Sequence, residues 1–415
     1  MSAPNVNPAG EALVSRTIGS ALESSGAAYV RLSPMSTMLP ARQFSSLRLA
    51  DVLTSSLLAV RSEPNRLGLP AVSKAVVVLA DGLGVSALRA RAGHARFLAG
   101  RLTKADVIDG VFPATTAAGI ATLTTGLEPG QHGLVGYQVL DADGDRIINQ
   151  LTGWDAGMDP ATWQRARTVF DQAADVGVPS FAIGPKRFIG SGFTQAVLRG
   201  ARYVAAESIG DRFAAAREIL ASEPTALVYL YVAELDVAAH AHGWESGRWL
   251  AHLETLDSEM ARFASELASD EGVLLTADHG VIDVPETKHV LFDTAPALVD
   301  GVRHIGGDPR CLQLYVDPAR IDVTSDSLAA AWQVAEGHRA WVYTRAEAVA
   351  AGLFGQVDTD VLPRIGDVIV AARKGIAYYD SRPANQSARS MIGQHGSLTD
   401  EEIRVPLIRA GAFSR

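Results

Sequence analysis

The hydrophobic pattern changes period several times along the chain, and each change marks an element. Residues 75–80, AVVVLA, are apolar without interruption and rich in β-branched side chains, as expected of a strand buried on both faces of a parallel sheet. Segments 180–184 (SFAIG), 272–278 (GVLLTAD) and the opening of 226–236 (ALVYLYVAELD) repeat that pattern. Between them the period lengthens to that of a helix, at 51–60, 85–102, 161–176, 204–222 and 245–269. The alternation predicts an α/β fold with a mostly parallel central sheet flanked by helices. Segment 134–153 reads as a hairpin turning at Asp141-Ala142-Asp143-Gly144. From about 285 to 390 the pattern loosens, with strand candidates at 311–316, 341–345 and 367–373. Residues 285–390 are therefore expected to be an inserted α+β subdomain, and 1–284 plus 391–415 the α/β core. Residues 1–20 are expected to be partly disordered, and most of 20–70 has no legible pattern.

Composition narrows the function. A chain of 415 residues that is 47% hydrophobic can bury a large core. Its net charge of −9 argues against a nucleic-acid duplex as partner. A small anionic substrate stays open, because a bound cation reverses the local sign. No apolar run reaches the length of a membrane span, and the opening MSAPNVNPAGEALVSR lacks the basic start and apolar core of a secretory signal. Cys311 is the sole cysteine and reads as a buried strand residue. A chain without an internal disulfide fits a reducing compartment, here the cytoplasm.

Open parallel sheets bind ligands beyond the carboxyl ends of their strands, and Asp81, Asp236 and Asp278 all fall there. The stretch 110–133, GVFPATTAAGIATLTTGLEPGQHG, places Thr115 and Thr116 where a helix should begin. A threonine there either caps the helix or presents its hydroxyl to a bound anion. Each further piece has a plain alternative: Asp81-Gly82 as a turn, Asp236 and His240 as a helix start with a surface histidine, Asp278-His279-Gly280 as a solvated turn, and His395 as a loop residue. Taken together, three carboxylates, three imidazoles and a hydroxyl match the donors that two divalent ions require. Such a pair, roughly 4 Å apart, can clamp the attacking and leaving oxygens of a phosphoryl transfer. His242 is a weaker candidate. His94, His252 and His338 read as solvated, whereas His132, His289 and His304 could line the cleft. Lys186 and Arg187 are either a solvated pair or a contact for a phosphate or carboxylate.

In order and spacing these pieces resemble the alkaline phosphatase superfamily, and within it the nucleotide pyrophosphatase/phosphodiesterase (type I phosphodiesterase) branch. The resemblance runs from about residue 75 to 408 and rests on strand-Asp81-Gly82, Phe112-Pro113 with Thr116, Asp236-x-x-x-His240, Asp278-His279-Gly280 and Gly393-x-His395-Gly396. It implies one ion held by Asp81, Asp278 and His279 and bridged by the nucleophile Thr116, with Thr115 as fallback. It implies a second ion held by Asp236, His240 and His395. It further implies zinc, with manganese tolerated, a phospho-threonine intermediate, and a small phosphate ester such as a nucleotide as substrate. Where the family pattern has Phe-Pro-Asn after the nucleophile, this chain has Ala117-Ala118-Gly119, so a side-chain donor expected to bind the phosphoryl group is absent. That departure keeps a phosphomonoesterase, a phosphonate hydrolase or a phosphomutase of the same superfamily as the rival reading. A non-catalytic metal or nucleotide binder is the remaining alternative.

Overall fold

The computed structural model describes residues 39–40, 47–155 and 157–414. The expectation of disorder for residues 1–20 falls outside them. The main sheet is built from β1 (Lys74–Ala80), β2 (Ser180–Gly184), β3 (Arg202–Ala205), β4 (Ala226–Val232), β5 (Glu271–Thr276) and β6 (Ile408–Gly411). Their order is β6-β5-β1-β4-β2-β3, with every neighbour parallel except β6, which runs antiparallel to β5. β1, at the centre, is buried along all but its first residue. Its uninterrupted apolar sequence follows from having neighbours on both sides and helices on both faces.

The principal helices are α1 (Ala50–Val60), α2 (Thr116–Thr125), α3 (Ile209–Ser222), α4 (Glu234–His242) and α5 (Gly247–Ser265). α2 is buried at all ten residues, which explains its run of Ala, Thr and Leu with no charged face. Its buried hydroxyls are satisfied locally: Thr124 donates to the Ile120 carbonyl at 2.9 Å and Thr125 to the Ala121 carbonyl at 2.7 Å. Gly126, at φ 72°, ends the helix in the left-handed conformation that suits glycine.

Three expected helices begin or break elsewhere. Segment 85–102 divides into Val85–Ala90 and Arg96–Ala99, and Asp257 of α5 caps the second piece by accepting from the Phe97 and Leu98 N–H groups at 3.2 and 2.8 Å. Segment 161–176 divides into Pro160–Trp163 and Val169–Asp175, because Thr168 opens a new helix with a capping box to Asp171. Segment 204–222 starts as β3, and α3 begins only after Ser208, which forms a capping box with Asp211.

A second, four-stranded antiparallel sheet uses Val302–Asp308, Cys311–Val316, Val368–Ala372 and Ala340–Thr344, in that order. Its edge strand Val302–Asp308 lies beside the 138–149 hairpin, where the Tyr315 hydroxyl accepts from the Leu140 N–H at 3.1 Å. After this sheet the chain returns to the main sheet as β6. Among the described residues no helix is long and apolar enough to cross a membrane.

Candidate metal centre and active site

Register brings the acidic residues together. Ala80 of β1 pairs with Val232 of β4, and Leu79 with Thr276 of β5, so Asp81, the start of α4 and Asp278 emerge at one edge. Gly82 follows Asp81 at φ +74°, and a Cβ there would stand 3.1 Å from the Cβ of Asp236. Only glycine lets β1 turn away while Asp236 approaches. Gly119, on the inner face of α2, would put a Cβ 2.6 Å from the Cβ of Asp278. The space a longer side chain would need at 119 is filled by the β5 acid itself.

Asp81 and Asp278 are each anchored through one oxygen and leave the other free. Asp81 accepts from the Tyr231 hydroxyl at 2.5 Å, and Asp278 from the His279 and Gly82 N–H groups at 3.1 and 3.3 Å. Asp236 lies 3.2 Å from His240 Nε2. The other oxygens, Asp81 Oδ1, Asp236 Oδ1 and Asp278 Oδ2, are buried without any hydrogen-bond partner. They converge on imidazole nitrogens: His279 Nε2 is 3.4 Å from Asp81 Oδ1 and 3.5 Å from Asp278 Oδ2, and His395 Nε2 is 3.9 Å from Asp236 Oδ1.

The histidines are set in the same way. His240, His279 and His395 each direct Nδ1 at a backbone carbonyl, of Gly393, Gly280 and Ala114, at 2.8, 3.1 and 2.8 Å. A carbonyl only accepts, so Nδ1 carries the proton and Nε2 presents its lone pair inward, as in metal-binding histidines. His240 and His395 bring their Nε2 atoms within 3.3 Å of each other, and the rings of His279 and His395 stack at 3.7 Å. Two facing lone pairs repel unless a proton or a cation lies between them.

The acid–base balance shows the same deficit of positive charge. Burial, then Asp278 and Asp236, pushes the Asp81 carboxyl well above its ordinary value. Burial raises Asp278 too, against the pull of His279. Burial opposes charge on Asp236 as well, but His240, with His395 and His279, holds it below the usual carboxylate range. His240 is raised, since Asp236 outweighs the cost of burial. His395 is pushed well below its ordinary value by burial and by His279. Among the described residues these acids pair with histidines and with no lysine or arginine. Such a cluster is costly in a dry interior unless a cation compensates it. Two groups have the donors for one: Asp81 with Asp278 and His279, and Asp236 with His279 and His395. His240 lies beside both Asp236 and His395.

Of the two adjacent threonines, only Thr115 caps the helix through its side chain. Thr115 is the N-cap of α2, its hydroxyl accepting from the Ala118 N–H at 3.4 Å. Thr116, the first helical residue, places its hydroxyl 3.2 Å from His279 Nε2. Of the other histidines, His132 is fully buried behind α2 against Thr122, and His304 pairs with Asp145 at 2.8 Å. His289 packs on Tyr379 with ring centroids 4.5 Å apart. The three therefore stand away from the cluster. His94 pairs with Glu254, and His242 meets Arg248. Cys311 is a fully buried strand residue.

A cavity of about 590 Å³ opens from Thr116, Asp81 and Asp236. Trp154, Phe188, Phe193, Tyr203, Tyr229 and Tyr231 contribute its aromatic walls. Sequence reasoning singled out none of these side chains. The alternation in Tyr229-Leu230-Tyr231 was the available signal, since residues two apart on a strand share a face; the two rings stack at 6.5 Å.

A family model described as type I phosphodiesterase / nucleotide pyrophosphatase matches residues 75–398. The chain belongs to this family. No curated protein matches it by sequence. Similar solved structures include murine ectonucleotide pyrophosphatase/phosphodiesterase 5, at 17% identity and a TM-score of 0.63, covering 81% of this chain and 88% of that one. An inactive Thr-to-Ala variant of that murine protein, in complex with AMP, gives the same identity and score over 82% of this chain and 88% of that one. Phosphonoacetate hydrolase from Sinorhizobium meliloti 1021, in complex with phosphonoformate, is similar at 17% identity and a TM-score of 0.62, covering 82% and 91%. At such identities these likenesses establish the fold, a type I phosphodiesterase core of alkaline phosphatase type. The family comprises enzymes that hydrolyse phosphoester bonds.

Proposed function

We propose that the chain is a metal-dependent phosphodiesterase/nucleotide pyrophosphatase with Thr116 as nucleophile and a phospho-threonine intermediate. One observation carries this reading: the Thr116 hydroxyl lies 3.2 Å from His279 Nε2, within a ring of buried carboxylate oxygens that have no partner. The donor set of three carboxylates and three imidazoles suits two divalent cations, zinc by ligand type, with manganese as substitute. Asp81, Asp278 and His279 would hold one beside Thr116, and Asp236, His240 and His395 the other. Bound there, the ions would supply Lewis acidity toward the phosphoryl oxygens and lower the pKa of a coordinated hydroxyl or water.

The chain's own residues do the rest. Thr116 is the first residue of α2, directly after the Thr115 cap. Its Oγ1 forms the bond to phosphorus while the bond to the leaving oxygen breaks, and water later cleaves the phospho-threonine. The first N–H groups of a helix have no acceptor within it; in α2 that of Ala118 goes to the Thr115 cap, so those of Thr116 and Ala117 are the donors proposed for the remaining phosphoryl charge. With Gly119 in the family's Asn position, they take the place of that side-chain donor in this proposal. The carbonyls of Gly393, Gly280 and Ala114 keep the three imidazoles in the tautomer that binds.

The aromatic cavity favours a diester over the rival monoester and phosphonate readings. Its volume of about 590 Å³ exceeds what a small phosphonate needs and suits an aryl or nucleoside arm. The buried Cys311 fits the cytoplasmic setting that we assign. The test compares metal-loaded enzyme on an aryl phosphodiester, the matching monoester and phosphonoacetate. The diester should be the best substrate; a clear preference for the monoester or the phosphonate would replace this reading with the corresponding rival.

A further inference from the structure

Arg187 borders two cavities at once. It stands on the wall of the catalytic cavity and also on that of a neighbouring cavity of about 240 Å³ on the outer side of α4. Its guanidinium lies 4.8 Å from the Phe188 ring, and Phe188 makes an edge contact with Tyr231, whose hydroxyl holds Asp81. A continuous wall therefore leads from the reacting end to Arg187 and on into the second cavity.

The charges in that second cavity are unequally committed. Arg212 and Glu234 neutralise each other through hydrogen bonds of 2.9 and 2.8 Å. Glu207 accepts from the Lys186 N–H at 3.1 Å. Arg187 and Arg248 are exposed, and neither forms an ion pair among the described residues. Arg248 donates to His242 Nε2 at 3.1 Å, which keeps that ring nitrogen an acceptor and leaves the other guanidinium donors of Arg248 uncommitted. Two guanidinium groups thus face a small cavity with donors to spare, and guanidinium is the side chain best matched to phosphate or carboxylate.

We propose that this second cavity is a subsite for an additional anionic group of the substrate, recognised by Arg187 with Arg248. The substrate would then be a phosphoester whose aromatic arm, lying along the cavity walls, ends in a phosphate or a carboxylate. The inference rests on the phosphodiesterase reading and specifies its substrate class.

The test uses three probes that release p-nitrophenolate with the metal-loaded full chain. They are the p-nitrophenyl ester of thymidine 5′-phosphate, its 3′-phosphorylated form and its 3′-O-carboxymethyl form. An anion-bearing probe should exceed the parent in kcat/KM by about tenfold or more, the scale of one charge-assisted hydrogen bond, chiefly through KM. That ratio should collapse toward unity in Arg187→Ala, be largely retained in Arg187→Lys and fall partway in Arg248→Ala. An advantage for either anion supports the subsite and identifies its ligand. Equal values for all three probes, or an advantage that survives Arg187→Ala, overturns it. If the wild type cleaves none of the probes, the phosphodiesterase reading fails separately, and calorimetry decides the subsite. Thymidine 3′,5′-bisphosphate should bind more tightly than the 5′-monophosphate to wild type and not to Arg187→Ala; equal binding to wild type overturns the proposal.

Discussion

Two of the places where this molecule buries charge are built in opposite ways. Glu402, at the return from the second sheet to the main one, and Arg310 are both fully buried. They share two hydrogen bonds of 2.8 and 2.7 Å. Glu402 also accepts from the Ser397 N–H at 2.9 Å and the Thr399 hydroxyl at 2.6 Å, and Arg310 donates to the Lys374 and Ile376 carbonyls at 2.8 and 2.7 Å. At the carboxyl ends of β1, β4 and β5, by contrast, Asp81, Asp236 and Asp278 each keep a buried oxygen with no partner. Full satisfaction marks a charge that holds the fold together. A set of unsatisfied oxygens converging on histidine lone pairs marks a charge that the fold holds ready for something else.

The comparison is sharpened most by activity. Thr116→Ala removes a hydroxyl from the unsatisfied region and should lower turnover by roughly 10⁴-fold or more. Its melting temperature and metal content should stay near wild type. Comparable activity in the variant would take the nucleophile away from Thr116.

Stability of the metal-free protein separates the two regions next. Glu402→Gln leaves Arg310 buried without its counter-charge and should cost about 3–5 kcal/mol in denaturant unfolding. Asp278→Asn should leave the metal-free protein as stable as wild type or more so, because it relieves repulsion that nothing compensates, while weakening metal binding. Equal losses in both variants would erase the distinction drawn here.

Tyr231→Phe is a finer probe. It frees the anchored oxygen of Asp81 without touching a donor atom, and should weaken metal binding by about 10- to 100-fold, read by calorimetry. An unchanged affinity would show that Asp81 needs no anchor.

The smallest effect is on pH dependence. Asp81 and Asp278 are raised in the folded chain, so it keeps protons that the unfolded chain gives up near pH 4. Metal-free stability should therefore fall as pH rises from about 6.5 to 8; below that range His395, held low by burial and His279, and His132, which burial and then Arg364 push down to about 3, act in the opposite sense. Asp236, held low, loses its contribution only under acid conditions below that window. Saturating zinc should flatten the slope by replacing the retained protons. Asp308, which burial and then Glu402 push up to about 8, should leave a residual slope of the same sign in the loaded protein. Asp308→Asn should remove that residue, measured as the difference in melting temperature between pH 5 and 8. Metal-free stability that rises between pH 6.5 and 8 would contradict the assigned shifts.

The sequence carried the acids and histidines well, and for a physical reason. Asp81 and Asp278 end strands whose apolar runs could be read directly, and Asp236 and His240 are four residues apart on one helix, so local pattern sufficed to suggest their meeting. The aromatic walls were less legible, because Trp154, Phe188 and Tyr203 come from separate segments that only tertiary packing brings together. Gly119 looked like a lost donor; the structure adds that its lack of a side chain admits Asp278. The breaks at residues 91–95 and 164–168 escaped the periodicity, since a cap from distant Asp257 and a local one from Thr168 outweighed it. Asp308 lies in Gly-Gly-Asp-Pro, which reads as an ordinary turn and gives no hint that its carboxyl is buried.

The most direct measurement is anomalous diffraction from crystals of the full chain loaded with zinc. Two peaks should appear roughly 4 Å apart, one bounded by Asp81, Asp278, His279 and the Thr116 hydroxyl, the other by Asp236, His240 and His395. A single peak, no peak, or peaks away from these side chains would contradict the account.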